Sequence, residues 1–231
     1  MIKGLEKFKE RFAGLEDQYV LIGGTATYLV LTDAGLKPRA TKDLDIVLCL
    51  EALDAAFGKA FWEFVKDGGY ENLQHSTGKQ VFYRFSKPRD DTFPAMLELF
   101  SRAPDHMAPP EGIRLVPISI DEDVYSLSAI LLDTDYYGFL HANKDRLEGL
   151  SIVNAGGLIP LKAKAWLDLT ERKNKGERVD SRDITKHRSD ILRLSQLLTT
   201  ETKITLPESV KADMKQFLDD LAGTSGLNLT D

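Results

Sequence analysis

Hydrophobic positions recur at two periods along this chain. Ile2, Leu5, Phe8, Phe12 and Leu15 fall three and four apart, which predicts one apolar helix stripe over 2–15. Tyr19–Ile22 is a short apolar run stopped by Gly23 and Gly24, and predicts a strand. Ala26–Thr32 suits a helix, with Ala34-Gly35 as its stop and a loop over Leu36–Thr41. Leu44–Leu50 predicts a strand, and Leu53–Phe64 a helix ended by Gly68-Gly69. Gln80–Phe85 alternates as a strand, Lys87–Asp91 is a turn, and Ala95–Phe100 is another strand. Ile113–Ile120 reads as a strand broken by Pro117, and Val124–Leu132 fits strand or helix. Residues 133–157 end in a glycine-rich turn near 156–157.

The character changes at Leu158. Leu161–Leu169 and Ser181–Leu198 predict helices, the second with Ile184, His187, Ile191, Leu194 and Leu198 on one stripe. Thr170–Val179 between them is basic and solvated, and a last helix over Pro207–Leu221 precedes a polar tail. The expectation is a mixed sheet with helices over 1–157, then a helical part over 158–231.

Bulk properties narrow the classes. A chain of 231 residues can bury a substantial core, and 42% hydrophobic with 29% charged residues is ordinary for a globular protein. The net charge of −6 argues against nucleic-acid binding through global positive charge, though a local basic groove stays open. Cys49, the single cysteine, excludes an internal disulfide and lies in the apolar run Ile46–Leu50, where a buried thiol is expected. No apolar leader opens the sequence, and no apolar run approaches a bilayer's thickness. The expectation is a cytoplasmic protein without membrane contact.

The chemistry concentrates in four places. Asp43 and Asp45 alternate on a strand, so both carboxylates point to one face, about 6.5 Å apart. Like charges at that spacing repel unless a cation sits between them, and an all-oxygen set suits Mg²⁺ with phosphate and water completing its shell. The apolar Ile46, Val47 and Leu48 follow at once, which puts the acids at the strand's rim. Upstream, Gly23 and Gly24 let a backbone approach a phosphate, and the next helix offers free N–H groups to an anion. Glu98 lies inside the apolar run Met96–Phe100, where a buried carboxylate needs a partner or a metal unless its edge is exposed.

Gly-Gly, then Asp-x-Asp, then an acid within a later apolar strand resembles the nucleotidyltransferase superfamily with the polymerase-β-like fold. Arg39-Ala40-Thr41 before the acids looks like its AbiEii-type group, which includes toxin components of toxin–antitoxin systems. In Leu161–Ala165, Lys162 is the lysine that fits the group's helix motif, with Lys164 as the alternative. In Lys186–Ile191, Asp190 is the matched acid, although the usual Arg-x-x-Asp-Leu ending is absent. The resemblance covers roughly residues 18–198. It implies an α+β fold, a mixed sheet flanked by helices followed by a helical C-terminal part.

The resemblance also implies two Mg²⁺ ions held by Asp43, Asp45 and Glu98, with Gly23, Gly24, Thr25 and Lys162 around the phosphates of an NTP. Glu98 is a base or a ligand only, and Asp190 orients Lys162 or meets the acceptor. The acceptor hydroxyl is expected on RNA, with tRNA foremost, and a cognate antitoxin is the partner of that branch. A small molecule of the aminoglycoside type, a protein side chain, and nucleotide binding without turnover stay open as alternatives. His187 is expected as a core histidine, and His75, His106 and His141 as surface residues. Trp62 and Trp166 fall at helix-core spacings. Lys173, Lys175 and Arg178 are either a solvated loop or contacts to an RNA backbone.

Overall fold

The computed structural model describes residues 2–72, 82–105, 115–121 and 125–225. His75, His106 and the tail beyond 225 lie outside them, as do the predicted strand residues 80–81, 113–114 and 124. The strands are Tyr19–Leu21 (β1), Asp43–Leu48 (β2), Arg84–Ser86 (β3), Met96–Ser101 (β4), Leu115–Asp121 (β5), Tyr125–Leu131 (β6), Lys144–Leu147 (β7) and Leu150–Val153 (β8). The helices are Leu5–Arg11 (α1), Gly23–Asp33 (α2), Ala55–Gly68 (α3), Thr134–Ala142 (α4), Ala155–Asn174 (α5), Ser181–Leu194 (α6) and Glu208–Ser225 (α7).

One mixed sheet runs in the order β5-β6-β4-β2-β1-β8-β7, and β3 pairs with β4 beside that path. The pairs β2/β4, β4/β6 and β1/β8 are parallel, while β1/β2, β3/β4, β5/β6 and β7/β8 are antiparallel. A mixed sheet flanked by helices is therefore the architecture, as the sequence led one to expect.

Strand alternation divides the sheet into two faces. Tyr19 and its partner Leu48 lie on the same face as Leu44 and Ile46. That face packs on an aromatic layer from α1 and α3. Phe8 and Phe12 stack at 4.3 Å, and Phe8 meets Phe64 edge-on at 5.8 Å. Phe12 reaches Phe57, and Phe61 reaches Phe85 on β3. Asp43, Asp45 and Glu98 point to the opposite face, where α5 brings Lys162. The C-terminal helices join through Trp166, whose ring meets Phe217 of α7 edge-on at 5.3 Å. Tyr136, Phe139 and Val210 form a small second core between α4 and α7.

Several boundaries differ from the periodicity, each for a local reason. Helix α2 starts at the two glycines, three residues before the apolar stripe. Asp54 caps α3 by accepting from Ala56 and Phe57 N–H, and Gly69 ends it in the left-handed region. Strand β5 passes through Pro117 without breaking, because it is the sheet's edge and Pro117 needs no ladder bond on the open side. Residues 125–131, open between strand and helix, form β6. The stretch 133–157, given no element beyond a glycine-rich turn near 156–157, holds α4 and the β7/β8 hairpin. Asp133 caps α4, and Glu148 and Gly149 turn the hairpin with positive φ. Gly156 and Gly157 belong to the first turn of α5, capped by Asn154, and that helix crosses the 157/158 boundary. It continues to Asn174, taking in half of the expected 170–179 loop.

Candidate active site

The acids converge through strand register. Asp45 lies directly opposite Glu98 on the parallel β2/β4 ladder, and Asp43 stands two residues before Asp45 on the same face. Burial raises Asp45 first, and the carboxylates of Glu98 and Asp43 raise it further, to about 6. Lys162 and a hydrogen bond from the Gly24 N–H pull it partly back. Asp43 is also raised, chiefly by burial, with Lys42, Lys186 and Arg39 opposing. Glu98 is tied to the Arg84 guanidinium, which stands opposite it on β3. Among the described residues no three acidic, histidine or cysteine side chains already stand close enough to hold an ion.

The glycine turn presses on these acids. Ile22 N–H donates to the Asp45 carbonyl at 3.0 Å, which ties the end of β1 to the start of β2. Gly23 then adopts φ +62°, and a Cβ there would lie 1.9 Å from Asp45 Oδ2. Both observations require glycine. A Cβ on Gly24 would meet Thr41 Oγ1 at 2.6 Å and Arg39 at 3.2 Å. The first turn of α2 carries no acidic residue and no side-chain cap, so its N–H groups face the site. Thr25 follows, at the next position of the helix. Its side chain is fully buried and its hydroxyl donates to the Asp43 carbonyl at 2.7 Å, so it braces β2 and does not offer that hydroxyl to a phosphate.

A buried ionic centre lies beside the acids. Lys162 is 3% exposed and Asp190 fully buried, and Lys162 Nζ donates to Asp190 Oδ2 at 2.8 Å. Arg39 Nε donates to both Asp190 oxygens at 3.1 Å. One carboxylate thus joins α5, α6 and the loop before β2. Burial lowers Lys162 from its ordinary value, and Asp190 opposes that shift. Lys164 points elsewhere, to Asp213 of α7 and Asp168. Of the two lysines that fit the helix motif, Lys162 is the one beside Asp45.

The remaining sequence candidates are placed as follows. His187 is partly buried with its Nδ1 unpartnered, and burial, Lys162 and Lys186 lower it to about 4. His141, expected at the surface, instead lies with its ring 4.5 Å from that of Tyr137, tilted by 46°, and its Nε2 is buried and unpartnered. Cys49 is buried, and burial pushes its thiol up to about 12. The cations of 170–179 are largely occupied within the chain: Arg172 pairs with Glu177, Lys175 with Glu171, and Lys173 bonds Ser181. Two site residues had no assigned role in the sequence reading. Arg39 belonged to the quoted motif, but its partner lies 151 residues away. Arg84 sat in an alternating run, and only strand register reveals that it faces Glu98.

No helix among the described residues is long and apolar enough to cross a membrane. No protein-family model matches the chain, and no curated protein matches it. Among solved structures it is similar to the antibiotic-resistance factor ANT(2'')-Ia, at 12% identity and TM-score 0.44, covering 96% of this chain and 93% of that one. It is also similar to the Megavirus polyadenylate synthase, at 11% identity and TM-score 0.44, covering 95% of this chain and 41% of that longer one.

Proposed function

We propose that this chain is a Mg²⁺-dependent nucleotidyltransferase that moves a nucleoside monophosphate from an NTP to a hydroxyl. The observation that carries this reading is the register of Asp45 against Glu98, with Asp43 on the same face and Gly23 pressed on Asp45. The donor set fits the metal. Three carboxylates offer hard oxygen atoms only, and two of them are raised in pKa, chiefly by burial and, at Asp45, by the neighbouring acids as well. Asp43, Asp45 and Glu98 would hold it; the resemblance implies two ions. When bound, Mg²⁺ supplies neutralisation of phosphate charge and acidification of a nearby hydroxyl.

The chain's own residues do the rest. Gly23 and Gly24 bring the N-terminus of α2 up to the phosphates, where free N–H groups receive negative charge. Lys162 supplies a point charge for the triphosphate. Asp190 is a positioning residue that fixes Lys162 and Arg39 together. The acceptor oxygen forms a bond to the α-phosphorus, the bond from that phosphorus to the bridging oxygen breaks, and pyrophosphate leaves. The acceptor proton passes to Glu98 or to water.

RNA, with tRNA foremost, is the first acceptor class, and a cognate antitoxin is the partner that accompanies it. A small hydroxylated acceptor is the second reading. A specific observation favours it: two of the four cations at 171–178, Arg172 and Lys175, are paired with neighbouring acids, in a chain of net charge −6. The test incubates the protein with Mg²⁺, each α-labelled NTP, and either small RNA or a panel of aminoglycosides. Label entering one acceptor, and absent with Asp43→Ala/Asp45→Ala, supports the reading and selects the acceptor. NTP bound without any pyrophosphate release would reduce the protein to a nucleotide-binding module.

A further inference from the structure

The same face of the sheet carries a row of three side chains across β2, β4 and β3. Asp45 opposes Glu98, and Glu98 opposes Arg84. The row is asymmetric. Among the described residues neither Asp43 nor Asp45 has a cation within ion-pair distance, whereas Glu98 is held by the Arg84 guanidinium. The Glu98 side chain is 14% exposed, and that of Arg84 is 50% exposed. The acid that completes the oxygen set is therefore engaged by a half-exposed cation from the short strand β3, which pairs with β4 beside the main path of the sheet.

We propose that Arg84 is the displaceable counter-ion of Glu98, so that a divalent cation must compete with the guanidinium for that carboxylate. This rests on the reading of Asp43, Asp45 and Glu98 as metal-holding acids. Two physical arguments support it. A carboxylate accepting a charge-assisted bond from arginine presents fewer free lone pairs to a second cation. The guanidinium side of the pair is half-exposed, so water and a divalent ion can reach it, and such a pair is weaker than a fully buried one. Arg84 thus sets the threshold for metal loading, and a triphosphate arriving with the metal gives the released guanidinium an anion to move to.

The test is Mn²⁺ binding to the full chain, read by electron paramagnetic resonance of the free ion, in wild type, Arg84→Met, Glu98→Gln and the double variant. Melting temperatures and circular dichroism confirm folding, and Arg84→Lys provides a milder variant. Arg84→Met should bind Mn²⁺ about two- to fivefold more tightly, the size expected for removing a half-exposed pair. In the Glu98→Gln background the same substitution should change affinity little, because the arginine acts through that carboxylate. Tightening that persists undiminished in the Glu98→Gln background would reveal a general field effect and overturn the proposal. So would weaker binding in Arg84→Met, which would make Arg84 an aid that orients Glu98. If wild type itself binds no Mn²⁺ that Asp45→Asn abolishes, the metal reading fails first and this inference with it.

Discussion

Asp45 carries a conflict between folding and chemistry. Its carboxylate sits under the Gly23-Gly24 turn and opposite Glu98, and its pKa rises to about 6. A group whose folded pKa lies above its unfolded value of about 3.9 binds a proton more readily when folded. Its contribution to stability is intact below pH 4 and is lost as pH rises towards 6. Asp45→Asn keeps the shape and an oxygen for the Gly24 N–H but removes the repulsion from Glu98 and Asp43. The metal-free variant should therefore be more stable than wild type by roughly 1–2 kcal/mol at pH 7.5, and about equal to it at pH 4. Nucleotidyl transfer should fall by about 10²-fold or more. Urea melts at the two pH values check the first part; equal stability at pH 7.5 would show that neither burial nor the neighbouring acids make the Asp45 charge costly in the fold.

At the scale of elements, one carboxylate joins three pieces of chain. Asp190 on α6 receives Lys162 from α5 and Arg39 from the loop before β2. The two cations are not equivalent in what their loss leaves behind. Asp190→Ala strands Lys162 as an uncompensated buried charge and should cost about 3–5 kcal/mol. Lys162→Met leaves Asp190 still held by Arg39, and should cost clearly less while lowering transfer activity. Paired denaturant curves read the difference, and equal losses would mean that Arg39 contributes nothing to holding Asp190. The tie also marks a limit of reading by pattern. Asp43, Asp45, Gly23 and Gly24 are close in sequence, so alternation and turn chemistry were enough to single them out. Lys162 and Asp190 came through resemblance, and nothing in local periodicity says that Arg39 completes them. The hairpin of β7 and β8 was missed because Lys144–Leu147 is polar and half-exposed, without the apolar alternation that announces a strand.

Across the whole molecule, the two faces of the sheet divide the labour. The face covered by α1 and α3 is a layer of aromatic rings, legible from the spacing of Phe8, Phe12, Phe57, Phe61 and Phe64. The other face holds the acids, the ionic centre and the N-terminus of α2. Register across β2, β4 and β3 decides which charged side chains share that face, and between strands that lie far apart in sequence no single local run displays which residues stand opposite each other. That is why Glu98 was found as an anomalous acid in an apolar strand, yet Arg84 beside it was passed over. The measurement that bears most directly on this arrangement is NTP binding by calorimetry, with and without Mg²⁺, in wild type and in Asp43→Ala/Asp45→Ala. The account predicts binding that requires the divalent ion and disappears in the double variant. Binding that is indifferent to the metal, or that survives loss of both aspartates, would contradict it.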